Sequence, residues 1–399
     1  MRIPAEIEYV LRRLEACGHE AYLVGGCVRD ALRGAAPDDF DVTTSALPDE
    51  TERVFAADRV LETGLKHGTV TVLHGGMPVE ITTYRTEGTY SDGRHPDSVS
   101  FTRSLAEDLC RRDFTVNAMA MDVHGSVVDL YGGREDLAAG CLRAVGNPAT
   151  RFTEDALRIL RAFRFAAKLG FAIEPATLAA AAELAPRLRL VSRERIFVEL
   201  CKLVCAPYAA TVLAQMADSG VFDCIFDAPR LNRRALAYLG TLPARAEIRL
   251  AALFYGDAAA ETHIASLKPS TAFLRRAAGI LRAAAPTSDA PSLRRFVYAN
   301  GADVARAAVL VLAGEQEMLA DLPARLEALL TREDCFTLRD LKVSGEDARA
   351  AGFTGAAIGR ALEDVLFAVL DGKIDNSRPA ETEFLLSLGT KAVDREGKV

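Results

Sequence analysis

The amino-acid sequence predicts an α+β protein: a small head on a mixed or antiparallel sheet, then helices to the C-terminus. From Tyr22 to about Gly140, short strand-like runs alternate with helical segments, punctuated by turn pairs such as Gly25-Gly26, Gly75-Gly76 and His124-Gly125. From Arg151 onward helical periodicity dominates, with breaks such as Ala285-Pro-Thr-Ser-Asp-Ala-Pro-Ser292 and no convincing strand pairs. The 399 residues, 50% hydrophobic and 26% charged, have ordinary globular composition. That length suffices for roughly two to four packed units.

The elements follow in order. Ile7, Val10, Leu11 and Leu14 recur on one helical face, so the N-terminus reads as an amphipathic helix ending at Gly18 and not as a signal peptide. Tyr22 to Val24 reads as a short buried strand, Gly25-Gly26 as a turn, and Val28 to Leu32 as the start of a helix. A second short run carries Asp39 and Asp41. Gly68 to Leu73 and Pro78 to Tyr84 form a hairpin turned at Gly75-Gly76. Arg85 to Asp97, rich in Gly, Ser, Asp and charge, reads as a mobile loop. In Leu105 to Met121, Arg111, Arg112 and Asp113 precede an apolar helix face. Asp122 to Gly146 then forms a second hairpin and the edge of the first domain.

Composition narrows the function classes. No apolar run approaches the roughly 18–20 residues of a membrane span. The eight cysteines contain no Cys-x-x-Cys pair and several sit in apolar segments, so they read as small buried hydrophobes in a reduced, cytoplasmic setting. A net charge of −7 counts against a uniformly basic nucleic-acid binder, leaving local basic stripes to meet phosphates.

Two stretches carry chemistry. In the first, the strand, glycine turn and helix start leave unpaired N–H groups and partial positive charge beside Arg29, a natural phosphate cradle. On a strand, Asp39 and Asp41 would share one face, and two like charges side by side repel unless a cation sits between them. Hard oxygen ligands beside a phosphate cradle suit Mg²⁺ bridging to a nucleotide. Gly-Gly turns and Asp-x-Asp after proline are each common alone; their order within about twenty residues is what points to a nucleotide site. Glu80, in the hairpin's second strand, is either a third carboxylate for that face or a solvent-facing acid.

The second stretch runs from Thr153 to Lys168. Thr153 reads as an N-cap with Glu154 and Asp155 in the first turn. Arg158, Arg161 and Arg164 step by three while Leu157, Ile159, Leu160, Phe163 and Phe165 cover most of the remaining circumference. A helix apolar almost all round should be buried, and buried arginines need anionic partners. Asp155 and Arg158, on neighbouring positions of one face, would supply the acceptor and donors that a base edge requires.

The motifs Leu23-Val-Gly-Gly-Cys-Val-Arg-Asp30, Asp39-Phe-Asp41, Arg111-Arg-Asp-Phe-Thr-Val-Asn-Ala118, Asp129-Leu-Tyr-Gly-Gly-Arg-Glu-Asp-Leu137 and Glu154-Asp-Ala-Leu-Arg-Ile-Leu-Arg-Ala-Phe-Arg-Phe165 occur in that order. They closely resemble the class II tRNA nucleotidyltransferases, the bacterial CCA-adding enzymes of the DNA polymerase beta superfamily. Val191-Ser-Arg-Glu-Arg-Ile196 resembles the last shared motif. Leu341 to Asp347 and Asp371 to Asn376 resemble the helical C-terminal portion of the long bacterial form, so the likeness covers nearly the whole chain.

The resemblance implies a seahorse-shaped molecule with a nucleotidyltransferase head at 1–142, a helical neck at 143–206, a body at 207–290 and a tRNA-binding tail at 291–399. It implies Mg²⁺ on Asp39 and Asp41, nucleotide-phosphate contacts from Gly26 and Arg29, and a ribose and nucleotide contact from Arg112. Asp155 and Arg158 match the pair that reads CTP or ATP, and Arg161 and Arg164 match further nucleotide contacts. The segment Arg85 to Asp97 corresponds to one that C-only relatives lack. Some longer relatives carry a His-Asp phosphohydrolase domain; none of the six histidines here is followed by Asp, so that activity is not expected. The implied activity is template-independent addition of CCA to tRNA from CTP and ATP. A-only addition, poly(A) polymerase activity and an inactive RNA-binding relative are the alternatives.

Overall fold

A computed structural model describes residues 3–37, 39–64, 68–88, 99–227, 229–332 and 335–396. The chain divides into two compact units. The first comprises Met1–Pro229 with Ser266–Lys268, the second Arg230–Ala265 with Pro269–Val399.

The first unit opens with helix α1 (Ala5–Ala16), which buries Ile7, Val10, Leu11 and Leu14 and ends before Gly18 at φ +86°. Strand β1 (Ala21–Val24) leads into α2 (Gly26–Leu32), then β2 (Asp41–Thr44), α3 (Pro48–Val54), β3 (Arg59–Gly64) and the hairpin β4 (Thr69–His74) and β5 (Met77–Thr83). Next come β6 (Arg85–Glu87), β7 (Val99–Phe101), α4 (Leu105–Cys110), β8 (Met119–Met121), β9 (Val127–Asp129), α5 (Gly133–Ala139) and β10 (Cys141–Leu142). The seven-stranded sheet has the order β3-β4-β5-β2-β1-β8-β9, and only the β2–β5 pairing is parallel. The first expected hairpin is present as β4 and β5; the second turns where expected, at His124-Gly125, but pairs β9 with β8, which lies before Asp122.

Alternation along the strands sorts the two faces of this sheet. Val42, Val79 and Ile81 turn toward α1 and α2 and share a core with Leu11, Leu14, Leu23, Val28 and Phe55. Each such buried side chain contributes about 1.5–3 kcal/mol. Val24 and Ala120 turn the other way, against Leu109 of α4. Asp41 and Glu80 are register partners across β2 and β5, so they sit side by side.

Three expectations for the first unit are corrected. Arg85 to Glu87 is not loop but pairs antiparallel with Val99 to Phe101; Gly88 is coil, and the rest of that loop, 89–97, lies outside the described residues. After Asp113 the chain forms a short 3₁₀ turn, Thr115–Asn117, and then β8, not an apolar helix. The Met-Ala-Met run is buried on both sides, which is why its apolar character did not betray a two-residue period. Past Arg151 one strand does occur: β11 (Ala172–Ile173), too short for periodicity to register, pairs parallel with β10.

Helices α6 (Pro148–Glu154), α7 (Leu157–Leu169), α8 (Pro175–Leu184), α9 (Arg193–Val204) and α10 (Ala209–Asp218) complete the first unit. α7 is buried nearly all round, as its circumference predicted, and packs on α9, whose Ile196, Leu200, Leu203 and Val204 are buried in turn.

The second unit is helical: α11 (Ala235–Tyr238), α12 (Ala246–Leu253), α13 (Ala260–Ser266), α14 (Thr271–Arg282), α15 (Ala290–Asn300), α16 (Ala302–Glu315), α17 (Leu322–Leu330), α18 (Gly345–Ala350), α19 (Ala356–Leu370) and α20 (Arg378–Glu396). Within it Arg276 is ion-paired with Glu247 and Asp303, and Arg295 with Asp371 while lying 4.1 Å over the Phe367 ring. Among the described residues no single helix is long and apolar enough to cross a membrane.

Candidate active site

A cleft of about 550 Å³ in the first unit is lined by the β1–α2 turn, the start of β2, the end of α4 and one face of α7. Seven cationic and four anionic side chains line it. A chain of net charge −7 thus concentrates positive charge where a phosphate-bearing ligand would enter.

The floor begins at Gly25. Its φ of +78° turns the chain from β1 into α2, a backbone conformation that side chains rarely adopt. A Cβ there would stand 3.4 Å from Arg112 Nη1 and 3.8 Å from Asp41 Oδ2. Gly26 follows as the first residue of α2, and both glycines line the cleft. Arg29, one turn on, is 3% exposed; it donates to Asn117 Oδ1 at 2.6 Å and to both Asp30 oxygens at 2.9 and 2.8 Å.

Asp39 and Asp41 both line the cleft, though not as a strand-face pair. β2 begins only at Asp41, and Asp39 lies two residues before it in coil. Aspartate's poor strand propensity after Pro37 accounts for the late start. The Asp41 carboxyl, open to water at the floor of a concavity, is raised above the usual carboxylate range. Burial does most of this and Asp39 adds to it; Arg112 works against it and Glu80 contributes last. Among the described residues neither carboxylate takes a hydrogen bond or ion pair, and no group of three or more His, Cys, Asp or Glu is arranged to hold a metal ion. The donor set is therefore two hard oxygens under mutual repulsion. It fits Mg²⁺, which commonly takes one or two carboxylates and completes its shell with substrate phosphates and water. Glu80 stands beside Asp41 in register but does not line the cleft.

Arg112 reaches the cleft from the end of α4, held by Asp108 Oδ2 at 3.2 Å, while Arg111 holds Asp108 Oδ1 at 2.8 Å. Burial opposes ionisation of Asp108, yet Arg111 and Arg112 keep its carboxyl below the usual range. Asp113 is sealed in similarly. Its Oδ1 accepts from Phe114 N at 2.8 Å and Asn117 Nδ2 at 3.1 Å, and its Oδ2 accepts from Arg161 Nε and Nη2 at 2.9 and 2.5 Å. Burial again works against the charge, but Arg161 and Asn117 prevail and hold the pKa at about 2.

The arginine row differs in detail from its prediction. Asn147, not Thr153, caps the helix, accepting from Thr150 N at 3.1 Å with Pro148 at the first position, so α6 ends at Glu154. Asp155 lies extended between α6 and α7 (φ −136°, ψ 105°), and its Oδ1 takes Leu157 N at 3.0 Å. Asp155 and Arg158 are thus not an i,i+3 pair within one helix. Both line the cleft, but Asp155 Oδ2 is bonded to Arg195 Nη2 at 2.8 Å and Arg158 Nη1 to Glu154 Oε2 at 2.6 Å. Arg161 lines the cleft while Arg164 does not; it pairs with Glu199 at 2.5 Å and lies 3.8 Å over the Phe165 ring. Steps of three residues drift by about 60° each, so two steps carry Arg164 off the cleft face.

Asn117, Phe165, Lys168 and Arg195 line the cleft and were not singled out. A helical signal was present for two of them. Phe165 and Lys168 follow Arg158 and Arg161 by seven residues, a drift of only about 20° that keeps them on the same stripe.

Residues 21–143 match the family model described as Poly A polymerase head domain, and 170–233 match one described as Probable RNA and SrmB-binding site of polymerase A. A CCA-adding enzyme of Streptococcus pneumoniae is 38% identical over 398 residues, 96% of this chain and 98% of that protein. One of Streptococcus gordonii is 39% identical over 95% of this chain and 96% of its own length. Among solved structures, the Bacillus stearothermophilus CCA-adding enzyme in complex with CTP superposes with a TM-score of 0.82 at 32% identity, covering 99% of this chain and all of that one. The Thermotoga maritima CCA-adding enzyme complexed with tRNA shares the fold at 21% identity and a TM-score of 0.72, over 97% of both chains. With identity of this order along the whole chain, and the same fold throughout, the chain belongs to the CCA-adding enzyme family of nucleotidyltransferases.

Proposed function

We propose that this chain adds CCA to the 3′ end of tRNA without a nucleic-acid template, using CTP and ATP and releasing pyrophosphate. One observation carries the reading: Asp39 and Asp41 open into the same cleft as Asp155 and Arg158, so a phosphate-activating pair and a base-sized set of donors and acceptors face a single ligand. The reaction is attack of the tRNA 3′-hydroxyl on the α-phosphate, and catalysis by positioning and electrostatics needs no nucleophilic side chain. The family generally uses a divalent metal. We assign Mg²⁺ to Asp39 and Asp41; bound there, it would neutralise charge on the triphosphate and favour the attacking oxygen's ionised form.

In this reading Gly26 offers backbone N–H to phosphate and Arg29 supplies charge from beneath. Arg112 meets the ribose. Asp155 accepts from the exocyclic amine of cytosine or adenine, and Arg158 donates to ring acceptors. Arg161 extends the donor row. Arg164 acts indirectly, by backing Phe165, and Glu80 through its field on Asp41. Head, neck, body and tail are assigned to 1–142, 143–206, 207–290 and 291–399, the tail meeting tRNA through its backbone rather than its sequence.

The test is product sequence. Purified protein given tRNA lacking its CCA end, with CTP and ATP separately and together, should add C, C and then A. A-only incorporation or a long A tail would instead support the second reading, which the poly(A) polymerase head match favours. Asp41→Ala should abolish incorporation; unchanged incorporation would overturn the enzymatic assignment.

A further inference from the structure

We infer that Arg195 is a specificity-determining positioning residue: from α9 it fixes the Asp155 carboxylate in the orientation that reads the base. The inference rests on the base-reading role proposed for Asp155. Asp155 sits where no helix holds it, extended between α6 and α7, and among the described residues two hydrogen bonds anchor its side chain. Leu157 N donates to Oδ1 at 3.0 Å, and Arg195 Nη2, forty residues further on, donates to Oδ2 at 2.8 Å. Each oxygen keeps a second lone pair, which is what accepting from an exocyclic amine requires. A carboxylate free to rotate would present those lone pairs over a wide arc; one clamped on both oxygens presents them in one direction.

The rest of the Arg195 side chain is placed for this task. It lines the cleft itself, and among the described residues its Nη1 is buried without a hydrogen-bond partner. A buried unsatisfied donor is costly, so Arg195 is held against Asp155 at the expense of its own hydrogen bonding. On the same face of α9, one turn on, Glu199 pairs with Arg164 of α7 at 2.5 Å. α9 thus presents Arg195 and Glu199 as one edge, holding the two ends of the reading segment.

The experiment compares Arg195→Gln, Arg195→Lys and Asp155→Asn. For each, kcat and KM are measured for CTP and ATP on tRNA lacking its CCA end and on tRNA ending in CC, alongside thermal unfolding. Arg195→Gln should reduce discrimination between the nucleotides about tenfold, within the roughly 10²-fold that misplacing a positioned group can cost. Arg195→Lys, which keeps charge and one bond, should fall between it and the parent. If Arg195→Gln keeps full discrimination while Asp155→Asn loses it, the positioning role is overturned and base reading by Asp155 stands. If Asp155→Asn also keeps it, both are overturned. Equal losses of kcat/KM for CTP and ATP with a lowered Tm would show a merely structural role and overturn the inference. Should the glutamine variant not fold, parent-level discrimination in Arg195→Lys overturns it.

Discussion

Replacing Asp113 with Asn tests whether the pair Asp113–Arg161 is what ties the head to α7. In the folded chain the Asp113 carboxyl is held at about 2 instead of the ordinary 3.8, against the opposition of burial, chiefly by the Arg161 guanidinium. That difference corresponds to about 2 kcal/mol of stability at neutral pH. Loss of a partner from a sealed ion pair commonly costs about 3–5 kcal/mol. The Arg161 side chain, however, is 34% exposed at the cleft, so water recovers part of that and the expected loss stays near about 2 kcal/mol. The pH dependence has a definite sign. A carboxyl lowered on folding stabilises the chain above the unfolded value of 3.8, and that stability is lost as pH falls through about 2. Urea unfolding of the parent and Asp113→Asn should therefore differ by about 2 kcal/mol at pH 7 and by about half that at pH 3. Variants equal within about 0.5 kcal/mol at pH 7, or a gap that stays constant down to pH 3, would refute the reasoning.

Other perturbations follow from the same geometry. A Cβ at Gly133 would lie 2.3 Å from the Thr115 carbonyl oxygen and 2.9 Å from Met119 Cγ, so Gly133→Ala should lower stability by about 3 kcal/mol; an unchanged melting temperature would contradict it. Gly25→Ala should cost about 1–3 kcal/mol from its φ of +78° and also slow incorporation, because relief of that strain shifts the turn that lines the cleft; calorimetry and single-turnover assays read the two effects. Glu199→Gln leaves Arg164 nearly buried without its counter-charge, and a loss of about 3 kcal/mol in urea unfolding is expected. Chelation of divalent ions should stop incorporation and added Mg²⁺ should restore it; activity persisting in chelator would remove the cation role of Asp39 and Asp41.

Local elements were legible in the sequence where one face is buried and the other is not. α1 shows its four core residues at helical spacing, and β4 and β5 announce their turn with two glycines at positive φ. The site was legible as residue types in order, since Gly25, Gly26, Asp39, Asp41, Arg112, Asp155, Arg158 and Arg161 all line one cleft. What the pattern could not show was the break at Asp155. Thr153-Glu154-Asp155 has the composition of a helix start, yet Asn147-Pro148 starts a helix earlier and more strongly, pushing Asp155 into the gap between two helices.

The arginines show the deeper limit of sequence reading. Periodicity reports which face of its own helix a side chain occupies; it says nothing of what stands opposite. Burial of α7 correctly demanded anions for Arg158, Arg161 and Arg164, and a nucleotide was the obvious supplier. The structure supplies all three from the chain itself: Glu154 from four residues away, Asp113 from forty-eight, and Glu199 from α9. The cleft is therefore not an empty pool of positive charge awaiting a triphosphate. Its donors are already aimed and partly neutralised, so an incoming phosphate would gain less attraction than seven cations suggest, whereas on the proposed reading a base edge would meet groups held in place by the chain. A site so built trades raw affinity for orientation, which is what choosing between two nucleotides without a template demands.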